Sequence, residues 1–419
     1  MLSMKAMLYH SGITLRIYPS PKQKQIIAVN SGASRAVYNC LVAYNKELWQ
    51  LKQYVSILPW YGDRIDYLSF VLSETSGLRH AMPYLNNESI DGIMIANAKL
   101  NYQDAWKNHK IHPEQFGIPT FHKKSYDISY QTNAVYQPAD KGLFAGSIRF
   151  LDEKHMQLPK LGRIRFKGSD SRIADLLSRI AETRIGTVTV GCRANGEYYI
   201  SMQLGSVEPF VLPLSKTGSV IGIDVNVDNY YTDSNGNVVP NPAFYRNSEK
   251  KLIKAQKKLS RMAVAAKKDN RSIYDSKNYQ KQRHKLSKIT SNIQRQREQY
   301  AHIQSKNIVK NHDLIVVEDI KTKNIMKNHN IAKSVADVSW YQFTNMLEYK
   351  SLLYDKDFVK VPPHNTTQTC SACGFILKDK NKLTLKDREW TCPKCKTHHI
   401  RDHNAAINIL NKGLATFVS

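Results

Sequence analysis

Four cysteines near the C-terminus, Cys370, Cys373, Cys392 and Cys395, are spaced C-x2-C-x18-C-x2-C, and no other feature constrains this chain as tightly. Each C-x-x-C turn can aim two thiolates at one tetrahedral ion, so the spacing reads as a zinc site rather than as a disulfide framework. Turn formers accompany both pairs, Ser371 and Gly374 around the first, Pro393 and Lys394 within the second. With four Cys the site is closed, which makes it structural rather than catalytic. His398 and His399 lie close by, but the thiolates already fill the site, and both are expected at the surface or facing nucleic acid. The remaining cysteines, Cys40 and Cys192, stand alone.

The second constraint is charge. Lys+Arg number 61 against 35 Asp+Glu in 419 residues, a formal +26. On a folded chain such an excess points to a polyanion partner, because basic side chains that neutralise phosphates release condensed counterions. The bland alternative is a ribosome-like or merely soluble basic protein. A hydrophobic content of 42% is enough to bury real cores, and the length allows two to four domains. No window approaches the roughly 18 consecutive apolar residues of a membrane span, and the opening MLSMKAMLYHSGITLRIYPS lacks a signal-peptide core. A soluble, cytoplasmic protein with no membrane partner is expected.

Alternating, β-branched residues predict a strand over 12–20, ending at Pro19-Ser20-Pro21. Helical spacing then runs from Pro21 to about Tyr54 and from about Ile90 to Trp106, so 20–112 is mainly helical. Between 125 and 212 the runs DISYQTN, SIRFLD, IRFKG, VTVGC and YYISMQL predict strands, with an Asn195-Gly196 hairpin and a helix over 172–182. The early strand has no local partner and is expected to join this later sheet. A new unit starts near Ser219: VIGIDV reads as a strand buried on both faces, and Asn235-Gly236 closes a hairpin between YYTD and NVV. LIVVEDI, a helix near 339–354 and the strand FVKVP follow. Residues 250–310 hold 18 Lys+Arg against three acids, yet apolar residues recur there at helical spacing (Leu252, Leu259, Met262; Leu286, Ile289, Ile293). The expected object is a pair of helices with one apolar stripe; their basic faces are either simply solvated or track a phosphate backbone.

Asp224 and Glu318 sit at the carboxyl side of the apolar strands IGIDV and IVVED, and Asp402 precedes a short helix read over His403–Leu410. Burying a carboxylate is costly without a partner. For each acid alone an ion pair with a nearby Lys or Arg would serve. For the set, two Mg²⁺ held about 3.5–4 Å apart are the natural partners, suited to phosphodiester hydrolysis.

GIDVNVDN, VVEDIKTKNIMK, VSWYQFTNMLEYK, TTQTCSACG, LTLKDREWTCPKC and RDHNAAINIL together resemble the TnpB family, transposon-encoded RNA-guided nucleases related to compact type V CRISPR effectors. The resemblance is dense over 219–412 and extends weakly to LRIYPSPKQKQII and SRAVYNCL. It implies a multidomain α+β and α/β chain: an RNase H-like RuvC nuclease over 213–369 and 397–419 with an inserted zinc ribbon over 370–396, a wedge β-barrel from 1–20 and 113–212, and a helical recognition lobe over 21–112. Catalytic positions would be Asp224, Glu318 and Asp402, holding Mg²⁺, and zinc ligands the four cysteines. Implied partners are a guide RNA from the transposon end and a double-stranded DNA target next to a short adjacent motif, with the protein a monomer or weak dimer on RNA. Arg401, Lys257, Lys258, Arg261, Lys281, Arg283 and Lys285 are the basic positions expected to meet nucleic acid. In two places the chain departs from the family pattern. Asn226 replaces a glycine, where asparagine's tolerance of left-handed backbone is expected to preserve the turn, and Ile400 replaces an acid two residues before Asp402. The competing functions are a nuclease-inactive guided repressor, against which the intact acids argue, and a conventional RNase H-fold transposase.

Overall fold

The computed structural model describes residues 3–54, 58–137, 140, 142–179, 183–226, 228–320, 339–384 and 386–418. The segment KTKNIMK and the first residue of VSWYQFTNMLEYK lie outside them, as does the end of the helix expected over 172–182. Contacts divide the chain into two compact units, Met1–Phe210 and Val211–Ser419. No described helix is long and apolar enough to cross a membrane.

In the first unit, β1 (Tyr9–Ile17) is followed by α1 (Pro21–Lys52), α2 (Gly62–Ser73), α3 (Thr75–Ala81) and α4 (Gly92–Ile111), then β2 (Ile128–Asn133), β3 (Arg149–Phe150), β4 (His155–Leu158), β5 (Gly162–Lys167), α5 (Asp170–Arg179), β6 (Arg184–Cys192) and β7 (Tyr198–Ser206). α1 starts where the sequence says it must: Pro21 occupies the first turn, and Ser20 and Gln23 form a reciprocal capping box. β1 does join the later strands. It pairs antiparallel with β7 along its whole length and with β5 at Arg16 and Ile17, giving the order β2-β6-β7-β1-β5-β4-β3. Ser147 donates its amide to Val135 O at 2.8 Å, which ties the segment before β3 to the segment beyond β2, the strands at the two ends of that order. Ile13, Leu15 and Ile17 alternate inward and share one apolar core with residues of α1 and α4.

The second unit holds β8 (Val220–Asp224), β9 (Asn229–Asp233), β10 (Val238–Pro240), α6 (Phe244–Lys268), α7 (Lys277–Asn311), β11 (Leu314–Glu318), α8 (Trp340–Leu353), β12 (Asp357–Val361), β13 (Glu389–Thr391), β14 (His398–Ile400) and α9 (Arg401–Val418). Its main sheet runs β10-β9-β8-β11-β12. β9 is antiparallel to both neighbours, whereas β8, β11 and β12 are mutually parallel. Side-chain alternation assigns the faces. Ile221, Ile223, Ile315 and Val317 pack with Ile308 of α7 and Phe343 and Leu347 of α8. Leu314 and Val316 point the other way, toward Ile409 of α9.

The seat of α9 depends on two missing side chains. A Cβ on Gly222 would stand 2.3 Å from Ala406 O, and one on Gly413 would stand 2.4 Å from a methyl of Val316. Since Asp402 is carried on α9, the absence of a side chain at 222 helps to place it. Gly222→Val is expected to destabilise the protein by about 2–3 kcal/mol, the usual cost of overpacking. Gly32→Ala, inside α1 with nothing within 4 Å of the new methyl, is expected to gain about 0.5–1 kcal/mol. Urea unfolding of both variants checks the opposite signs.

Candidate functional site: three carboxylates and a four-cysteine unit

β8 and β11 run parallel with Val317 opposite Ile223, so the next residues, Asp224 and Glu318, emerge side by side at the carboxyl ends of the two strands. Asp224 is 8% exposed and accepts no hydrogen bond among the described residues. Burial pushes its carboxyl well above the usual carboxylate range, the charges of Glu318 and Asp402 push further, and the Arg401 guanidinium opposes them. Glu318 is raised by burial too, with the Thr366 hydroxyl, which donates to its Oε1, and the charge of Lys412 pulling back. Asp402 is held differently. Arg401 Nε and Nη2 each lie 2.9 Å from its Oδ1, and Arg388 Nη1 lies 3.8 Å from its Oδ2. The three acids therefore share one electrostatic neighbourhood without being drawn together: among the described residues, the four cysteines are the metal-ligand grouping whose donor atoms all lie within 4.8 Å. A nearly buried carboxylate with no hydrogen-bond partner among the described residues, in the electrostatic neighbourhood of two more, is an oxygen donor set that suits a hard cation such as Mg²⁺.

Arg401, read from sequence as facing nucleic acid, is 8% exposed. Besides Asp402 it donates to Thr384 O at 3.2 Å, because the backbone at the head of α9 turns it inward over the acids. Asn226 is likewise not left-handed. It closes the β8–β9 connection through its side chain, Oδ1 accepting from Asn229 N at 2.7 Å and Nδ2 donating to Thr232 Oγ1 at 3.3 Å. The turn persists by an asparagine hydrogen-bond cap instead of by backbone tolerance. Ile400 lies on the exposed side of β14 and, with Asp228, Arg388, Asp402 and His403, lines a small cleft of about 260 Å³.

The four cysteines form two copies of one turn. Cys370 N donates to Phe375 O and Gly374 N to Cys370 O; Cys392 N donates to Thr397 O and Lys396 N to Cys392 O. Gly374 and Lys396 both take positive φ. Sulfur separations are 3.6 Å for Cys370–Cys395 and 3.7 Å for Cys373–Cys392. A tetrahedral ion with Zn–S bonds of about 2.3 Å requires edges of about 3.8 Å, so the residues fit zinc. His399 is not at the surface. In the β13–β14 hairpin it pairs with Trp390, and the alternation that leaves His398 exposed turns His399 inward, against the Trp390 ring and 3.1 Å from Cys370 Sγ.

Asn404 and Asn408 were not foreseen. One turn apart on α9 and buried, they hold the approach to the first cysteine turn: Asn404 Oδ1 accepts from Ser371 N at 2.9 Å, Asn404 Nδ2 donates to Thr369 O at 2.7 Å, and Asn408 Nδ2 donates to Thr366 O at 2.8 Å and Thr369 O at 2.7 Å. Asparagine is a poor helix former, and two of them at i, i+4 was the available signal.

The basic pair is formed by α6 and α7. Lys257, Lys258, Arg261, Lys281 and Lys285 are exposed and Arg283 half-buried. On α6, Lys250, Lys254, Lys257, Lys258 and Arg261 line an open cleft of about 810 Å³.

Three family models match the chain in order: a "Helix-turn-helix domain" of OrfB_IS605 over residues 7–53, OrfB_IS605, "Probable transposase", over 201–329, and the "Cas12f1-like, TNB domain" over 340–409. Over 7–53 the structure has one strand and one unbroken helix, not two helices. A Streptomyces pristinaespiralis protein named "Putative RNA-guided DNA endonuclease" is 33% identical over 230 residues, 55% of this chain and 53% of its own. The Escherichia coli (strain K12) protein "Putative RNA-guided DNA endonuclease InsQ" is 29% identical over 282 residues, 63% of this chain and 64% of its own. The chain thus spans between half and two thirds of these relatives. In fold it is similar to the Cas12f1 chain of a cryo-EM complex with sgRNA and target DNA, with a TM-score of 0.51 at 13% identity over 96% of this chain and 99% of that one. The ordered matches fall on the segments that carry the acids and the cysteines, and they support the TnpB family.

Proposed function

We propose that the protein is an RNA-guided, metal-dependent DNA endonuclease that binds a guide RNA from its transposon end and cuts complementary double-stranded DNA beside a short adjacent motif. The observation that carries the proposal is that Asp224 and Glu318 stand at neighbouring parallel strand ends, with Asp402 at the head of α9 near enough for its charge to act on Asp224. The strand order β10-β9-β8-β11-β12 with β9 reversed supports an RNase H-like, RuvC-type domain, and the names of the two relatives support the guided reaction. Residues 1–20 and 113–212 would be the wedge and 21–112 the recognition lobe. Mg²⁺ held by Asp224, Glu318 and Asp402 would supply an activated water and stabilise the leaving oxygen. The chain's own part is to keep the acids fixed at the strand ends, to exclude bulk water around Asp224, and to fix Asp402 through α9 and the cysteine unit. Sequence would be read by guide pairing, with the protein gripping heteroduplex shape and backbone. Purifying the protein from its host locus, sequencing the bound RNA and assaying cleavage of DNA complementary to it tests the proposal. Protein that carries no specific RNA, or cuts without regard to it, overturns it.

For α6 and α7 the phosphate-grip reading makes a quantitative prediction. Neutralising Lys257, Lys258, Arg261, Lys281, Arg283 and Lys285 together is expected to weaken nucleic-acid binding almost independently of sequence. The dependence of log K on log salt should flatten by about 0.7–0.9 per lost contact. Binding titrations at several salt concentrations measure the slope; an unchanged slope assigns these helices to solvation only.

A further inference from the structure

The carboxylate cluster has a cation of its own. Arg401 turns back from the head of α9 so that Nε and Nη2 both reach Asp402 Oδ1 at 2.9 Å, while Nη1 donates to Thr384 O at 3.2 Å. Thr384 is itself fixed: Asp387 Oδ2 accepts from its amide at 2.7 Å and from its hydroxyl at 2.8 Å. The Arg401 amide donates to Arg388 O at 2.8 Å. The guanidinium is thus anchored, at main chain and side chain, by the stretch between the two cysteine turns, and its 10% exposure leaves little of it to solvent. A guanidinium stays charged when buried, and a buried charge needs partners. Here Asp402 is the contact partner, and the charge also acts on Asp224.

We infer that Arg401 is the built-in counter-ion of the Asp224–Glu318–Asp402 cluster, neutralising it in the absence of divalent cation and competing with that cation for Asp402 Oδ1. It is a positioning residue that acts through Asp402, and the inference rests on reading the three acids as a cation site. Two consequences have opposite signs. Removing the charge leaves the acids repelling one another, so the cation-free protein loses stability. Removing it also removes the repulsion that an arriving divalent ion meets, so cation affinity rises. A purely structural Arg401 would lower stability alike with and without the ion.

The test is a Mn²⁺ titration of the full-length chain, read by calorimetry and thermal unfolding rather than by cleavage, with zinc content matched among variants. Arg401→Gln is expected to melt lower than wild type without Mn²⁺, to regain most of that loss at saturation, and to bind with a midpoint at least about tenfold lower. Arg401→Lys keeps the charge without the fork and is expected to stay within about threefold of wild type. An unchanged midpoint in Arg401→Gln, with the same loss of melting temperature at zero and saturating Mn²⁺, overturns the inference. If the Gln variant does not fold, the Lys variant decides: a midpoint lowered by about tenfold there means that charge is not what acts, whereas one close to wild type supports the inference. Wild type that responds to Mn²⁺ no differently from Asp224→Asn overturns the cation-site reading together with this inference. A wild type that does respond, beside an Arg401→Gln that matches it, defeats the inference alone.

Discussion

Asp224→Asn is expected to reduce guided DNA cleavage by about a thousandfold or more while leaving target binding nearly intact, and to raise stability in metal-free buffer. The loss follows because Asp224 is the most deeply placed of the three acids: if the cluster holds Mg²⁺ as proposed, the Asn variant would lack one of the carboxylates that would hold the ions and with it the charge stabilisation they would supply to hydrolysis. The stability gain has a separate cause. Burial and two neighbouring acids hold the Asp224 carboxyl above its ordinary range, so the native state binds this proton more tightly than the unfolded chain. Between the unfolded and native values, rising pH therefore costs stability: the contribution is fully present below the ordinary aspartate value near 3.9 and is lost as pH climbs through the raised native one. The Asn variant should lack that decline. Asp402→Ala should also stop cleavage but, since it takes the paired carboxylate from the buried Arg401 guanidinium, should destabilise the protein. Cleavage assays paired with unfolding curves between pH 4 and 8 separate these outcomes. Near wild-type cleavage by either variant means that its residue is misassigned.

The opposite stability effects expected of two acids in one cluster mark where sequence reading reaches its limit. IGIDV and LIVVE announce strands buried on both faces, and an acid at the end of each was conspicuous because carboxylates are rare there. Local chemistry was equally direct at Ser20-Pro21, at Gly196 and Gly236, which take the positive φ their hairpins require, and in the cysteine spacing. What stayed hidden depends on pairing at a distance. β4 is four residues with two apolar ones, His155–Leu158, too short for a periodic signal, and exists because β5 lies beside it. His399 and His398 are adjacent, and only the register of β13 against β14 decides which faces the sulfurs. Arg401 carries no local mark distinguishing a residue that reaches outward from one folded back onto its neighbour. The helix after Asp402 was visible over His403–Leu410 but extends from Arg401 to Val418, because packing of Gly413 against Val316 prolongs it past the break that Asn411, Lys412 and Gly413 suggest.

Cys392→Ser is expected to have the largest effect on folding of any single change in the second unit. Cys392 is fully buried, and its sulfur closes one edge of the tetrahedron with Cys373. Zinc bound by four thiolates contributes on the order of 10 kcal/mol or more in small modules, where binding energy is folding energy. The core around the cysteines consists of little beyond Leu377 and Trp390, with Phe375 and Leu383 partly buried, too few side chains to hold the hairpin without the ion. The damage should not stop there. Ser371 is bonded to Asn404, and Thr366 and Thr369 to Asn408 or Asn404, so collapse of the first turn frees the start of α9 and with it Asp402. The Ser variant should therefore lose its zinc, become protease-sensitive between residues 370 and 400, and lose cleavage, while the first unit, Met1–Phe210, keeps its protection. Elemental analysis and limited proteolysis measure both halves of that statement. Well-folded wild-type protein without stoichiometric zinc would contradict the premise, and a Cys392→Ser variant that lost zinc but kept α9 protected would show that Asn404 and Asn408 do not carry the coupling.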